Sequence, residues 1–340
     1  MPYWLSTNNS GLMYNGSALG YRSPYNPLDL PPYTIRFKFS GNTKPVAYSD
    51  SKWTQVSESP SVWDYTYNNS NWNDLFYSDS GNITDILGAN LVGVVSMQYT
   101  FRNFSNLVNV QPFDMSTVTD AFRMFWGCIS LQSIPALDVR NTQRITGMYG
   151  MCRNLSGSIV MDLDGVSEAY SLFCMADYSV AYYNRWPNHS ITSITLLNAD
   201  SIQNGYSMFS YCSALTSVNG LDVCPLEYTN FMFDGCSSLQ GSPALNMSQV
   251  ENTAAMFRDC TALTTVPDYS DVSSVTRTDG MFKNCYNVQS GALSMYNKLV
   301  QNTYADSSKY ADCFTNCGRD TVTGAAELAQ IPTSWGGTAT

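Results

Sequence analysis

The chain has 340 residues and a formal charge of −10, from 17 Lys and Arg against 27 Asp and Glu. Only 13% of residues are charged, about half the usual share, while 44% are hydrophobic, so a core can form and Asn, Ser, Thr and Tyr must carry the polar surface. No Lys/Arg cluster is present to neutralise phosphates, which argues against nucleic acid as a partner, and no apolar run approaches the ~18 residues of a membrane helix.

A neutral, hydrogen-bonding exterior of this kind suits virion proteins, adhesins and sugar-binding surfaces. Residues 1–25 have neither the basic start nor the apolar centre of a secretory signal, so export by that route is not expected. Residues 1–29 read as an extended, Asn/Ser/Gly/Tyr-rich arm, either a floppy terminus or an anchor that orders on a partner protein. Tyr3, Trp4, Tyr14 and Tyr21 are the candidate anchor, because disordered tails seldom carry so many aromatics. Residues 30–93 read as a β-rich N-terminal cap. In 33–39 the residues Ile35, Phe37 and Phe39 fall on one side of a strand. Trp53, Trp63, Tyr65, Tyr67, Trp72 and Phe76 follow, as the core of the cap or as platforms for sugar rings.

Residues 94–289 carry the strongest signal, a recurring Met-Phe-x-x-Cys-x-x-Leu. It reads Met124-Phe125-Trp126-Gly127-Cys128-Ile129-Ser130-Leu131 and returns at Met148-Tyr149, Met208-Phe209, Met232-Phe233, Met256-Phe257 and Met281-Phe282, with weaker copies at Phe101, Phe173 and Phe314. The aromatic position falls at 101, 125, 149, 173, 209, 233, 257, 282 and 314, in steps of 24, 24, 24, 36, 24, 24, 25 and 32. Each unit has two halves. Residues 118–125 read as a short helical or 3₁₀ turn, with Val118, Phe122 and Phe125 at helical spacing. Leu131-Gln132-Ser133-Ile134-Pro135 alternates like a short strand, as do Leu215-Thr216-Ser217-Val218 and Leu263-Thr264-Thr265-Val266-Pro267. One unit cannot bury its own apolar face, so stacking is expected to build a continuous core.

Seven of the ten cysteines (Cys128, Cys152, Cys212, Cys236, Cys260, Cys285 and Cys317) share one repeat position. The expectation is a file of buried thiols, with some disulfide pairing as the alternative. Cys174, Cys224 and Cys313 lie off the file. Cys313 and Cys317 are badly spaced for zinc, and the single histidine is distant in sequence.

The 36-residue step marks an insertion near 177–188 that contains Tyr178, Tyr182, Tyr183, Arg185 and Trp186, next to His189. Insertions in repeat proteins often emerge on the binding face, and Tyr, Trp and Arg dominate contact surfaces, so these six residues are the candidate binding loop. The competing reading is a loop that folds over the array and buries its own rings. Residues 290–340 hold the last degenerate repeat and a helical C-terminal cap, with helices over 292–300 and 325–331 and a loose tail from Thr333.

Catalytic signatures are not found. One histidine removes most acid–base and nucleophile–histidine schemes, and no phosphate or dinucleotide glycine loop is present. Asp162-Leu163-Asp164-Gly165 starts like a calcium loop but lacks the distal glutamate, and is read as a turn. No cofactor, metal or catalytic residue is expected.

The pattern Val-Thr-x-x-x-x-Met-Phe-x-x-Cys-x-x-Leu, clearest over 118–131 and 275–288, resembles the BspA-type leucine-rich repeat of bacterial surface proteins. Its 24-residue period lies within the roughly 20–29 residues of leucine-rich repeats. The resemblance covers about residues 94–320. It implies an α/β leucine-rich-repeat solenoid of about nine coils, with a parallel sheet on one face and short helical or 3₁₀ segments on the other. The flanks, such as Leu30-Pro31-Pro32-Tyr33-Thr34-Ile35 and Gly324-Ala325-Ala326-Glu327-Leu328, resemble repeat proteins of gut Bacteroides phages and prophages, including crAss-like phages. That resemblance implies a non-enzymatic virion protein, a head or tail fibre or decoration component. Its arm would hold other virion proteins, its repeats would face a host-surface glycan or protein, and self-association is left open. A secreted or cell-surface adhesin of the BspA type is the second reading, and a glycan-active enzyme the third.

Overall fold

The computed structural model describes residues 30–339 except 48, 57, 58, 178–183 and 186–189, together with two short N-terminal strands. Those strands, β1 (Leu5–Thr7) and β2 (Ser10–Leu12), pair antiparallel. The anchor residues Tyr3, Trp4, Tyr14 and Tyr21 lie outside the described residues.

Strands β3 (Thr34–Phe39), β4 (Trp53–Gln55), β5 (Val62–Thr66), β6 (Ile83–Asn90) and β7 (Asn109–Val110) form one sheet in the order β4-β5-β3-β6-β7. Pairing is antiparallel up to β6 and parallel between β6 and β7, with Asp85 opposite Asn109. The sheet therefore hands over from a hairpin-built cap to the repeat register. Arg36 and Asp64, cross-strand partners in β3 and β5, join through two hydrogen bonds of 2.6 and 2.8 Å. The alternation of Ile35, Phe37 and Phe39 does bury all three. Trp53, Trp63, Tyr65, Trp72 and Phe76 are also buried, so they are core, and the reading of them as sugar platforms falls.

Beyond the cap the described chain is mostly turn with short strands. Its repeats are bonded to one another at the period seen in the sequence: parallel bridges join Asn71, Ser96, Asp120, Arg144 and Glu168 in turn, then Asn204, Tyr228, Asn252 and Arg277. The aromatic residues stack face to face, Phe101 on Phe125 at 5.2 Å, Phe125 on Tyr149 at 5.7 Å, and so on to Phe282 on Phe314 at 5.8 Å. Phe76 begins this file, stacked on Phe101 at 6.0 Å, although it belongs by position to the cap. Burying each ring contributes about 2–3 kcal/mol, and stacking adds roughly 0.5–1.5 kcal/mol.

The expected helical or 3₁₀ turn in each unit is a different object. Met124 N–H donates to Ala121 O, Trp126 to Arg123 and Cys128 to Phe125, so overlapping turns begin every two residues. Yet Arg123 and Gly127 sit at φ 50° and 76°, the left-handed third residue of a type II turn. Tyr99, Ser207, Phe231 and Ala255 repeat the first of these positions at φ 51–59°. The left-handed residues turn alternate peptide planes so that Ala121, Arg123, Phe125 and Gly127 donate across to Arg144, Thr146, Met148 and Gly150 of the next unit, at 2.8–3.0 Å. A helix would spend these donors on itself. The left-handed conformation costs a non-glycine residue roughly 1–2 kcal/mol, which the inter-unit bond offsets. It also moves Phe122 out of the core that helical spacing assigned it: Val118 and Phe125 are buried, while Phe122 is half-exposed.

The expected parallel sheet is present in pieces rather than along the whole face. Strands β8 (Ser156–Asp162), β11 (Ser190–Leu197) and β12 (Ser217–Asn219) pair in parallel, in the order β12-β11-β8. Residues 131–135 form no strand, and 263–267 contribute a single bridge at Thr265. Pro135 and Pro267 lie in those segments, and a proline has no N–H for a ladder. The β12 segment Ser217-Val218-Asn219-Gly220 has no proline.

All ten cysteines are free thiols and all are buried, so the disulfide alternative falls. The file has a polar logic that the repeat pattern does not reveal. The thiols of Cys128, Cys152, Cys236, Cys260 and Cys285 donate to the carbonyls of Phe101, Phe125, Phe209, Phe233 and Phe257, each in the preceding unit, at 3.1–3.2 Å. Burial, the leading cause, pushes the pKa of the Cys128, Cys212, Cys236, Cys260, Cys285 and Cys317 thiols well up.

The Asp162-Leu163-Asp164-Gly165 segment is a turn: Asp162 Oδ1 accepts from Asp164 N–H and from the Asn198 amide. At the C-terminal end, α1 (Ala292–Leu299) and α2 (Val322–Leu328) pack together, and the Glu327 carboxylate accepts from Gly291 and Leu293 N–H at the start of α1. The second helix begins three residues earlier than expected because Thr321 caps it, accepting from Gly324 N–H. The expected loose tail is ordered through Ala339: Trp335 is buried, stacks on Tyr310 at 4.6 Å, and its carbonyl accepts from Phe314 N–H.

Candidate binding ridge

Of the candidate binding loop, Tyr178, Tyr182, Tyr183, Trp186 and His189 lie outside the described residues. Strands β9 (Ala176–Asp177) and β10 (Asn184–Arg185) pair antiparallel at its base, which places the backbone of Arg185. The stack continues across the insertion, with Phe173 on Phe209 at 6.3 Å.

A different surface is built from described residues. On several of these turns the residue at the Phe122 position or the left-handed residue beside it stands half-buried at the surface, whereas Thr146, Ser207, Ala254 and Ala255 are buried. Over the first units this surface carries Tyr99, Arg102, Phe122, Arg123, Trp126 and Arg144, all half-buried. Tyr99 meets Phe122 edge-on at 5.1 Å. The Arg102 guanidinium lies 4.6 Å from the Tyr99 ring centre, Arg144 4.0 Å from Phe122, and Arg123 4.4 Å from Trp126 and 5.3 Å from Phe122. Across the insertion the surface continues from Tyr170 to Tyr206 and Phe231, at 6.5 and 5.9 Å spacing, with Arg258 5.3 Å from Phe231.

Three of these arginines have carboxylate partners. Arg102 faces Asp74 at 3.6 Å, and Arg144 bridges Asp120 at 3.4 Å and Glu168 at 3.3 Å. Arg258 binds Asp234 through two hydrogen bonds of 2.8 and 2.5 Å. Among the described residues Arg123 forms no ion pair, and its buried Nε has no hydrogen-bond acceptor. Trp126 lies over two glycines: a Cβ on Gly150 would come within 2.2 Å of the indole, and one on Gly147 within 2.9 Å of the Arg123 stem.

Such a ridge of rings and guanidinium groups can stack planar or sugar-like groups and pair with anions. Among the described residues no group of three or more metal-ligating side chains occurs. The ridge is not legible in the residues that match the repeat. Its signal lies in a variable position: Trp126 stands where the other units have Arg102, Gly150, Cys174, Ser210, Asp234, Arg258, Lys283 and Thr315.

No curated protein matches the sequence. The crystal structure of a leucine-rich repeat protein from Bacteroides ovatus is 14% identical, with 89% of this chain and 97% of that chain covered, and its TM-score of 0.23 is too low to equate the two folds. A family profile described as "Mycoplasma protein of unknown function, DUF285" matches residues 49–162 and 176–296, well over half of the chain, and the chain belongs to that family.

Proposed function

We propose that the chain is a non-enzymatic binding protein whose units form a leucine-rich-repeat solenoid of about nine coils, with the ridge as its contact surface. In the finer form of this reading it is a virion component of a gut Bacteroides phage, a head or tail fibre or decoration protein. Residues 1–29 would attach it to other virion proteins, and the repeats would face a host-surface glycan or protein. One observation carries the reading. Tyr, Phe, Trp and Arg side chains stand half-buried on the turns of several units, on backbone held by inter-unit hydrogen bonds. Aromatic and arginine residues on a rigid support supply most of the energy of a typical interface, because little conformational freedom is lost on binding.

A second reading, an adhesin on a bacterial surface, is favoured by the bacterial genus named in the family description. Antibody labelling of purified particles and of producing cells separates the two. The ridge itself is tested by binding of the protein to host cells. Tyr206→Ala with Phe231→Ala should weaken binding at least tenfold, about the loss expected for one hot-spot residue. Unchanged binding removes the ridge, and a parallel Tyr183→Ala with Trp186→Ala variant reports on the insertion.

A further inference from the structure

We propose that Arg123 and Trp126 form a subsite for the carboxylate of a uronic acid residue in a polysaccharide. The proposal rests on the ridge being a contact surface and names the chemistry it takes.

The unpaired charge comes first. Arg102, Arg144 and Arg258 each face a carboxylate, but Arg123 has none among the described residues, in a chain with ten more acidic than basic residues. Its Nε is buried without an acceptor, so the guanidinium is held by stacking rather than by an ion pair. A planar fork fixed in this way is suited to a carboxylate, which it meets through two parallel hydrogen bonds.

The platform comes second. Gly147 and Gly150 leave the space in which the Trp126 indole lies, half-exposed, and the Phe122 ring centre lies 5.3 Å from the Arg123 guanidinium. A sugar ring has an apolar C–H face that an indole can carry, and its carboxylate would then fall beside the guanidinium. An acidic protein side chain on a flexible stem has no ring to cover that face.

The charge balance comes third. Arg144, which shares the Phe122 ring with Arg123, is already engaged with Asp120 and Glu168, so among the described residues Arg123 is the uncommitted cation at this ring. A single cation matches a monoanion better than doubly charged phosphate or a dense polyanion. Sugar hydroxyls would meet the side-chain amide of exposed Asn103, whose backbone N–H donates to Trp126 O at 2.7 Å.

The experiment is calorimetric titration of the full chain with oligogalacturonate, its methyl ester and poly-glutamate. The free acid should bind at least tenfold more tightly than the ester, about what one charge-assisted hydrogen bond supplies. Arg123→Gln and Gly150→Ala should lose that margin, and Arg123→Lys should recover part of it, with unchanged melting temperatures as the control for folding. No binding of the free acid, equal binding of acid and ester, or equal binding of poly-glutamate overturns the subsite. If Arg123→Gln leaves host-cell binding intact while Tyr206→Ala with Phe231→Ala removes it, the contact ridge stands and the uronate subsite falls.

Discussion

Replacing Arg258 by alanine should destabilise the protein more than replacing its partner Asp234, although both changes break the same pair. The Asp234 side chain is 0% exposed, whereas Arg258 is 23% exposed. Burial works against the charged guanidinium, but hydrogen bonding and charge from Asp234 outweigh it and raise the Arg258 pKa. Arg258→Ala therefore leaves a fully buried carboxylate without its guanidinium, at a cost of about 3–5 kcal/mol. Loss of the contact with Phe231 adds roughly 0.5–1 kcal/mol. In Asp234→Ala the guanidinium can turn toward water, and the loss should be only about 1–2 kcal/mol. The double variant should be more stable than Arg258→Ala alone, because the stranded charge has gone. The pH dependence carries a sign. Without Arg258 burial opposes ionisation of the carboxylate, so its burden is full at neutral pH and lifts as pH falls toward the ordinary carboxylate range. Urea denaturation midpoints at constant slope measure the three losses. Hydrogen exchange of the Phe233 and Phe257 amides, which donate to Met256 and Met281 carbonyls, reads the effect locally. Equal losses for the two single variants, or a larger loss for Asp234→Ala, would refute the reasoning.

Two further outcomes are expected. The buried thiols should resist alkylation in native protein and react together on denaturation, because burial holds them protonated; fast native labelling of most of them would contradict the buried file. Asp79→Asn should raise the melting temperature at pH 7 by about 1–3 °C and bring no gain below pH 3.8, because burial raises the Asp79 pKa above that ordinary value and its ionised form weighs on the fold only at higher pH. The Asn oxygen can still accept from Val46 N–H, as Asp79 Oδ1 does at 2.7 Å; a gain of equal size at both pH values would show that charge is not the cause.

The period was legible because it is set by ring on ring. A residue that must lie over its counterpart in the next unit recurs at fixed spacing, and Phe125, Tyr149 and Phe233 did so openly. Phe76 was not read as part of the file, because Asp79 stands where its unit would have had the cysteine. The turn geometry was hidden for another reason. Arg123, Phe231 and Ala255 share a left-handed conformation that none of them favours, imposed by the neighbouring unit's carbonyls rather than by local preference. The patchy sheet was half visible, since Pro135 and Pro267 stood in plain view in segments read as strands. The aromatic-rich insertion is visible in the sequence because it breaks the 24-residue period. The ridge instead arises from units folded in register, where Tyr99, Phe122 and Arg144 meet across three repeats, and no single segment displays it.

The inter-unit ladder also gives the molecule an electrical direction. In a β-sheet, successive peptide groups point opposite ways and their dipoles cancel. Here the four donors from Ala121 to Gly127 point toward the C-terminal end, as do those from Thr229 to Gly235 and from Thr253 to Asp259, while the carbonyls of the same peptides face back. Each peptide carries about 3.5 D, and aligned in columns these moments add as they do along a helix. The two ends of the stack are consequently unlike. At the C-terminal end Trp335 O takes up the N–H of Phe314. The negative pole of these columns therefore faces the N-terminal sheet and the positive pole faces the Trp335 segment.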